Sequence, residues 1–434
     1  MDRRNFTGTA IAAVLAASLG IGSAAQAQQQ QFRGVTLKWA TLAPTGSVEN
    51  LRALVSEWER ETGGKVEIVI QPHPGLAEKV LLDAQTRVNT YDLVTLNYPK
   101  LGQFVEAGVI MPIDAFVANP AARKAELADF IPRLLDAYGK WDGKLYGVPL
   151  HADGRIMLYR KDVFSAHGKQ PAKTWAEYVE LAKYFNGKDW DNTGSPKFGV
   201  AFRFNADVIS SGRFAEVQAG IGGRLIDDNW KPHIDTQQSR DAMAIVSTLA
   251  ANGPRGNLEM GSSEYVNTIR LGQVPQLIVW AESAATMDNP AQSKVVGKIG
   301  WAPVPGGAAL LGGFGVSILA ASKNGAAAYD FMTWFTSRET ERKRQAQNLF
   351  APTRSSTYTD PEIVAKAPWY PLVKENLANG VALPRIPEAD EMINILGQGT
   401  RRSAAGQQPV DAMLKEVQTK WEQILIKAGR LKSS

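Results

Sequence analysis

The pattern that most constrains the fold is a regular alternation of short strands and amphipathic helices between residues 35 and 96. Residues 35–39 and 66–70 place apolar side chains at every second position, as a half-buried strand does. Residues 51–58 place them along one face of a helix, and the glycine pair that follows favours a left-handed helix end. A second helix over 76–88 and a third strand over 92–96 complete the series. This order predicts a parallel sheet covered by helices, which is an α/β fold.

In such sheets, ligands bind beyond the carboxyl ends of the strands, where loops and helix N-termini meet. Thr45 and Glu49 follow the first predicted strand, and Asn97 and Tyr98 follow the third, so these four are candidate ligand-binding residues. Each has a structural alternative. Glu49 can favour the helix dipole from the first turn, and Asn97 and Tyr98 can form a turn before Pro99.

The N-terminus has the three parts of an export signal. Arg3 and Arg4 form a positive segment, residues 8–25 are apolar or small, and Ala25-Gln26-Ala27 is an A-x-A cleavage site. We therefore predict that residues 1–27 are a cleaved signal peptide. The alternative, a membrane anchor, fits poorly because the apolar run is rich in Ala and Gly. The arginine pair also matches the twin-arginine export pattern, so both export routes stay open.

Cysteine is absent from all 434 residues, so the chain has no disulfide, thiolate nucleophile or lipid-modified cysteine. The mature protein is therefore expected to be free in the periplasm, as a monomer. Without its signal peptide, the chain is still too long for one hydrophobic core, which predicts two lobes. The net charge of +5 is spread along the chain rather than clustered, which argues against nucleic acid as a partner.

The chain lacks the motifs of several common enzyme classes, because it contains no G-x-S-x-G, no H-E-x-x-H and no phosphate-binding G-K-[ST] sequence. Its four histidines show no metal-ligand spacing. We therefore predict no metal, no cofactor and no catalytic residue. One enzymatic alternative stays open, in which Asp153 and Glu282 are the two carboxylates of a periplasmic glycosidase.

Several motifs follow one another in an order typical of one protein family. They are G-K-L-Y-G-V-P at 143–149, Y-R-K-D-V-F at 159–164, T-W-A-E at 174–177, P-V-P at 303–305 and A-P-T-R at 351–354. With these motifs the chain resembles the family 1 extracellular solute-binding proteins, which are the carbohydrate receptors of ABC importers. The segments 227–232 and 253–254 are also similar to receptors for polyols such as sorbitol and mannitol.

The resemblance implies two α/β lobes, each with a mostly parallel sheet flanked by helices, that close by a hinge over a ligand. The chain is then expected to cross between the lobes near 149–154, 302–305 and 344–352. The N-terminal lobe comprises 28–150 and 303–348, and the C-terminal lobe comprises 151–302 and 349–434.

The implied function is that of a periplasmic, non-enzymatic receptor, which captures a sugar or polyol and delivers it to the membrane permease subunits of an ABC importer. Three alternatives stay open. The first is a carbohydrate-active enzyme, and the second is a binding module that serves no importer. The third is the same class of receptor for a phosphorylated or anionic solute.

A carbohydrate site needs aromatic rings against the C–H faces of the sugar and polar groups that bond its hydroxyls. By the resemblance, Trp280 and Glu282 end a strand that faces the cleft, and His151 and Asp153 lie at the first crossing. Arg203, between two phenylalanines, resembles an arginine of polyol receptors. The structural alternatives are a core tryptophan, an ordinary polar loop and a salt-bridged arginine.

The sequence G-G-F-G at 312–315 supplies two further candidates, Gly313 and Phe314, because glycine lets the backbone approach a ligand closely. Polyol receptors usually have a tryptophan at or beside the position of Phe314, so the chain departs from their pattern here. The alternative is a tight turn before a strand. Arg354, in the A-P-T-R motif, is the last candidate ligand-binding residue, with a structural role as its alternative.

Overall fold

The computed structural model describes residues 31–72, 75–348 and 350–432. The predicted signal peptide, residues 1–27, lies outside these ranges. Among the described residues, no helix combines the length and the apolar character that crossing a lipid bilayer requires.

Strands and helices alternate along the described chain. The strands are β1 (Thr36–Thr41), β2 (Lys65–Ile70), β3 (Leu93–Asn97), β4 (Lys140–Trp141), β5 (Lys144–Leu145), β6 (Gly147–Asp153), β7 (Arg155–Arg160), β8 (Gln276–Trp280), β9 (Ile299–Ala302) and β10 (Gly312–Ile318). The helices are α1 (Val48–Thr62), α2 (Leu76–Gln85), α3 (Leu101–Glu106), α4 (Asp114–Ala118), α5 (Pro132–Gly139), α6 (Lys161–Ala166), α7 (Trp175–Phe185), α8 (Asp207–Gly220), α9 (Gln237–Ala251), α10 (Ser262–Arg270), α11 (Gly325–Phe335), α12 (Arg338–Ala346), α13 (Pro361–Lys366), α14 (Tyr370–Ala378), α15 (Ala389–Ala404) and α16 (Val410–Lys427). Short 3-10 helices include Tyr98–Lys100, Leu127–Asp129, Asn257–Glu259, Ala281–Thr286 and Thr357–Thr359.

The first part of the chain folds as its periodicity predicts. Strand β1 pairs in parallel with β2 and with β3, and α1 lies between β1 and β2 in the chain. The side chain of Ser47 caps the N-terminus of α1, and Gly63 ends the helix with φ 76°. Helix α2 ends at Gln85, three residues earlier than predicted, because the backbone at Arg87 turns to a positive φ of 58°.

A five-stranded sheet, with the order β2-β1-β3-β10-β6, combines strands that are far apart in the sequence. Strand β10 runs antiparallel to both of its neighbours, β3 and β6, whereas the other four strands share one direction. Helix α11 packs its aromatic residues on this sheet, where the rings of Phe331 and Phe335 meet Trp39 of β1 edge to face.

A second sheet has three strands in the order β8-β7-β9, and both of its pairings are antiparallel. The prediction of a mostly parallel sheet in each lobe is therefore wrong for this one. The reason is the direction in which each strand enters the sheet. Strand β7 starts at the end of β6 and runs away from the first sheet, whereas β8 and β9 run back towards the first sheet. Helices α7, α8, α9, α15 and α16 supply most of the apolar core around this sheet.

The chain passes from the first sheet to the second at Gly154, the residue that separates β6 from β7. A Cβ atom on Gly154 would lie 2.7 Å from Val373 of helix α14, so this passage requires a glycine. The chain returns to the first sheet between Ala302, the end of β9, and Gly312, the start of β10. The junction of the two sheets thus collects the ends of β6 and β8 and the starts of β7 and β10.

Candidate functional site

Strand register brings two of the predicted residues, Asp153 and Trp280, to this junction. Asp153 is paired with Gly312, and Arg155 is paired with Trp280. The ring of Trp280 lies so close to the backbone of β10 that a Cβ atom on Gly312 would be 2.7 Å from it and 2.9 Å from the Cβ of Asp153. Glycine at position 312 therefore lets the tryptophan of the second sheet pack against the first sheet.

His151, Asp153 and Glu282 form a cluster that we call the carboxylate side. One polar atom from each lies within 4.8 Å of the others, and His151 Nε2 is 2.5 Å from Asp153 Oδ1. His151 is buried, Asp153 is half-buried and Glu282 is exposed to solvent. A hydroxyl-bearing solute at this cluster would find two carboxylates, both of which accept hydrogen bonds.

The backbone fixes the tautomer of His151. The Ala351 N–H donates to Nδ1 at 2.7 Å, so Nδ1 needs its lone pair and the ring proton lies on Nε2, which donates to Asp153. Burial lowers the pKa of His151, but the charges of Asp153 and Glu282 outweigh it and raise that pKa. The two carboxylates thus favour the charged ring, whereas the hydrogen bond from Ala351 disfavours it, because a second proton would have to sit on Nδ1, facing that N–H.

This arrangement also bears on metal binding. A metal ion would need the lone pair of Nε2, but that nitrogen carries the ring proton as long as Ala351 donates to Nδ1. His151 therefore positions the carboxylate of Asp153 rather than ligating an ion. Desolvation by the surrounding protein and the charge of Asp153 raise the pKa of Glu282 above its ordinary value, although part of the residue is exposed.

Arg155, Arg203 and Arg213 form what we call the arginine side. The guanidinium of Arg155 stacks on Trp280, with its central carbon 4.4 Å from the ring centroid. Glu216 of helix α8 accepts from Arg155 Nη1 at 2.8 Å and from Arg213 Nη1 at 3.2 Å. Burial and the charge of Arg213 lower the pKa of Arg155 to about 10, so both guanidinium groups stay charged at neutral pH.

A small enclosed cavity of about 30 Å³ joins the arginine side to the end of β8. Its walls carry the three arginines together with Trp280 and Glu282, as well as Tyr265 and Ser283. Such a volume holds one or two water molecules, and so it fits a single polar group of a ligand.

Sequence comparison identifies the family. The model of the family described as bacterial extracellular solute-binding protein matches residues 44–342. The chain belongs to that family. By this membership it is a binding protein and not an enzyme, so the glycosidase alternative for Asp153 and Glu282 is not retained.

Several relatives align over most of the binding protein. A probable amino-acid ABC transporter periplasmic-binding protein of Sinorhizobium fredii is 29% identical over 448 residues, which cover 100% of both chains. A mannitol-binding protein of Pseudomonas aeruginosa is 26% identical over 386 residues, covering 82% of this chain and 85% of its own. The solved ribitol complex of a solute-binding protein from Agrobacterium radiobacter has a TM-score of 0.78 and 26% identity, covering 91% of this chain and 100% of its own.

The binding protein places Gly313 and Phe314 inside strand β10 rather than in a turn. Gly313 has φ +120°, and a Cβ atom there would lie 2.2 Å from the carbonyl oxygen of His151. Phe314 is buried opposite His151, with ring centroids 6.2 Å apart, and a bulge follows it. Asn97 donates to the Gly313 carbonyl at 3.3 Å. These three residues therefore shape the strand beneath the carboxylate side.

Two other candidates have their polar groups engaged within the protein. The Tyr98 hydroxyl accepts from the Leu383 N–H at 3.0 Å, and its ring stacks on Tyr138. The guanidinium of Arg354 is fully buried and donates to the carbonyls of Thr336, Glu126 and Ala125. The contacts of Arg354 are those of a structural residue, which was its alternative, and Tyr98 begins the short 3-10 helix Tyr98–Lys100 rather than a turn before Pro99.

Thr45 and Glu49 are exposed at the carboxyl end of β1. Glu49 lies in the first turn of α1, where its charge favours the helix dipole. The neighbouring Gly46 packs on the segment after α12, since a Cβ there would lie 2.6 Å from the carbonyl oxygen of Gln347. No contact in the described part of the chain joins Thr45 or Glu49 to the carboxylate side.

The structure adds residues that sequence reasoning missed. Arg155 precedes the apolar run Ile156-Met157-Leu158 directly after the passage between the sheets, which was an available signal. Trp369 and Tyr370 form an aromatic pair at the start of α14. Burial and the charges of Glu341 and Glu282 raise the pKa of Tyr370, so its hydroxyl shares the electrostatic environment of Glu282.

A larger cavity, of about 700 Å³, lies elsewhere. Its walls include Trp141 and Trp230, with Arg430 between the two rings at 6.0 and 5.3 Å from their centroids. None of the predicted site residues lines this cavity. Its size alone would suit a ligand, so it is the rival location that a binding experiment must exclude.

Proposed function

We propose that this solute-binding protein captures a sugar or polyol at the junction of the two sheets and delivers it to an ABC importer. One observation carries the proposal. Trp280 meets two carboxylates, Asp153 and Glu282, where the strand ends of both sheets converge. An aromatic ring beside hydrogen-bond acceptors suits the C–H faces and the hydroxyls of a polyhydroxylated ligand.

The named ligands of relatives support this class. The Pseudomonas aeruginosa relative is a mannitol-binding protein, and solved neighbours from Agrobacterium hold ribitol and D-mannitol. The Sinorhizobium fredii relative is named as the binding protein of a probable amino-acid transporter, so a panel of test ligands must also contain amino acids.

The two sheets support a hinge mechanism. Strands β1, β2, β3 and β6, before residue 154, and β10, after residue 311, form the first sheet, and β7, β8 and β9 between them form the second. We take each sheet with its helices as one lobe. The first boundary then lies at Gly154 rather than at residue 150, because β6 runs to Asp153, while the other boundaries, after 302 and after 348, stay as predicted. Because Asp153 and Trp280 come from different sheets, a ligand touching both binds the closed arrangement best and shifts the population towards it.

The protein acts outside the cytoplasm, in keeping with its family. We propose that residues 1–27 direct export to the periplasm and are then removed, by either the general or the twin-arginine route. The remaining partners are the permease subunits of the importer.

Isothermal titration calorimetry against alditols, aldoses, sugar acids, glycerol phosphate and amino acids tests the proposal. Binding of at least one polyhydroxylated compound at micromolar or better affinity is expected. If only amino acids bind, or nothing in the panel binds to folded protein, the proposal is wrong.

A further inference from the structure

The charges around the small cavity do not balance, and this points to the chemical class of the ligand. Three arginines line the cavity, whereas Glu216 is the carboxylate that pairs with Arg155 and Arg213. Among the described residues, Arg203 makes no hydrogen bond or ion pair, and no salt bridge joins Glu282 to any of the three. One guanidinium is therefore left without an acceptor.

Glu282 lines the cavity without a salt bridge to any of the three arginines, and the Tyr265 hydroxyl and the Ile278 carbonyl are already engaged. Arg213 is buried, its Nη2 donates to the Tyr265 hydroxyl and the Ile278 carbonyl, and its Nε has no partner among the described residues. The Tyr265 hydroxyl itself donates to the Ile278 carbonyl at 2.7 Å. The cavity thus presents more donors than acceptors, and a carboxylate brings two acceptor oxygens.

Burial makes the imbalance costly. Arg203 is half-buried between Phe202 and Phe204, which are both buried. Burial and the positive charge of Arg213 lower the pKa of Arg203, so its charged form has lost water without gaining a partner. An ionised acceptor binds such a guanidinium more strongly than a neutral hydroxyl does.

We propose that the natural ligand is a polyhydroxylated acid, such as an aldonic or uronic acid, whose acid group binds Arg203 while its hydroxyls bind Asp153 and Glu282. The inference rests on the proposed function, because it names the class of solute at the same site. It also sets the orientation of the ligand, since Asp153 does not line the cavity and the reverse placement would add its charge to that of Glu282 against the acid group.

The test is calorimetric titration of the full mature protein with acid and alcohol pairs that share one carbon skeleton: gluconate with glucitol, mannonate with mannitol, and galacturonate with galactose. For the matching skeleton, the acid is expected to bind at least about tenfold more tightly than its neutral partner. In Arg203→Gln, the affinities for the acid and for its neutral partner are expected to differ by less than about threefold, mainly because the acid binds more weakly.

Two further variants complete the design. Arg255→Gln removes an exposed arginine, in the turn after α9, that makes no ion pair among the described residues, and it should keep the full preference for the acid. Arg203→Lys keeps the charge and should retain a preference for the acid even if Arg203→Gln does not fold.

The outcomes separate the two proposals. If neutral sugars or polyols bind as tightly as their acids, or Arg203→Gln weakens both members of a pair equally, the acid proposal is overturned and the proposed function stands. If neither acids nor neutral compounds bind, the proposed function fails as well.

Discussion

The two sides of the site differ in charge, in exposure and in how they are held. The carboxylate side is built mainly on one strand and is open to water, with the Ala351 backbone holding His151 and His151 holding Asp153. The arginine side is enclosed and rests on a pairing across the fold, because Arg155 and Glu216 are 61 positions apart in the sequence. The difference indicates that the carboxylate side can exchange water for ligand hydroxyls, whereas the arginine side is held rigidly by the fold.

The largest effect is expected from removing the carboxylate of Glu216, which tests whether the arginine side stabilises the fold. In Glu216→Gln, two buried guanidinium groups lose their shared carboxylate, and the free energy of unfolding should fall by about 3–5 kcal/mol. Urea unfolding followed by circular dichroism measures this. Glu180→Gln, which affects an exposed pair with Lys183, should change stability by less than about 0.5 kcal/mol. A loss below about 1 kcal/mol in Glu216→Gln would show that the arginine side does not hold the fold.

The next largest effect is expected at Trp280, where the two sides meet. Trp280→Ala should weaken ligand binding by about 1–3 kcal/mol, because the ring contact with the solute is lost. Trp280→Phe should lie between this variant and the wild type. Titration calorimetry on folded variants checks both, and unchanged affinity in Trp280→Ala would remove this residue from the site.

The smallest effect concerns the pH response of the carboxylate side. The pKa of Glu282 is raised in the folded protein, so the folded state binds more protons than the unfolded state between the ordinary pKa near 4.5 and the raised value. Stability should therefore decline as pH rises through this window, and Glu282→Gln should lack that part of the decline. Because Glu282 is exposed, we expect a difference under about 1 kcal/mol. Thermal unfolding between pH 4 and 7 measures it, and identical pH profiles would contradict the raised pKa.

Much of the fold could be read from local patterns. The strands β1, β2 and β3 and helix α1 follow from apolar periodicity and the Gly63 helix end. The T-W-A-E sequence at 174–177 likewise starts α7, because Thr174 and Glu177 are residues that form a capping box. The antiparallel second sheet could not be read in this way, because strand direction depends on where distant segments enter the sheet.

In the site, too, some residues could be predicted from the sequence and others could not. Trp280 and Glu282 lie at a strand end, which the sequence can indicate, and the structure places them beside Asp153. The hydrogen bond of His151 with Ala351 and the sharing of Glu216 by two arginines join residues that only the tertiary fold brings together. Sequence periodicity carries no information on such pairings, and these contacts decide the charge balance of the site.

A crystal structure of the protein with its tightest-binding compound tests the central claim most directly. The account predicts the ligand between the two sheets, stacked on Trp280, with hydroxyls on Asp153 and Glu282 and its acid group on Arg203. A ligand found instead in the cavity between Trp141 and Trp230, with the junction of the sheets empty, would contradict it.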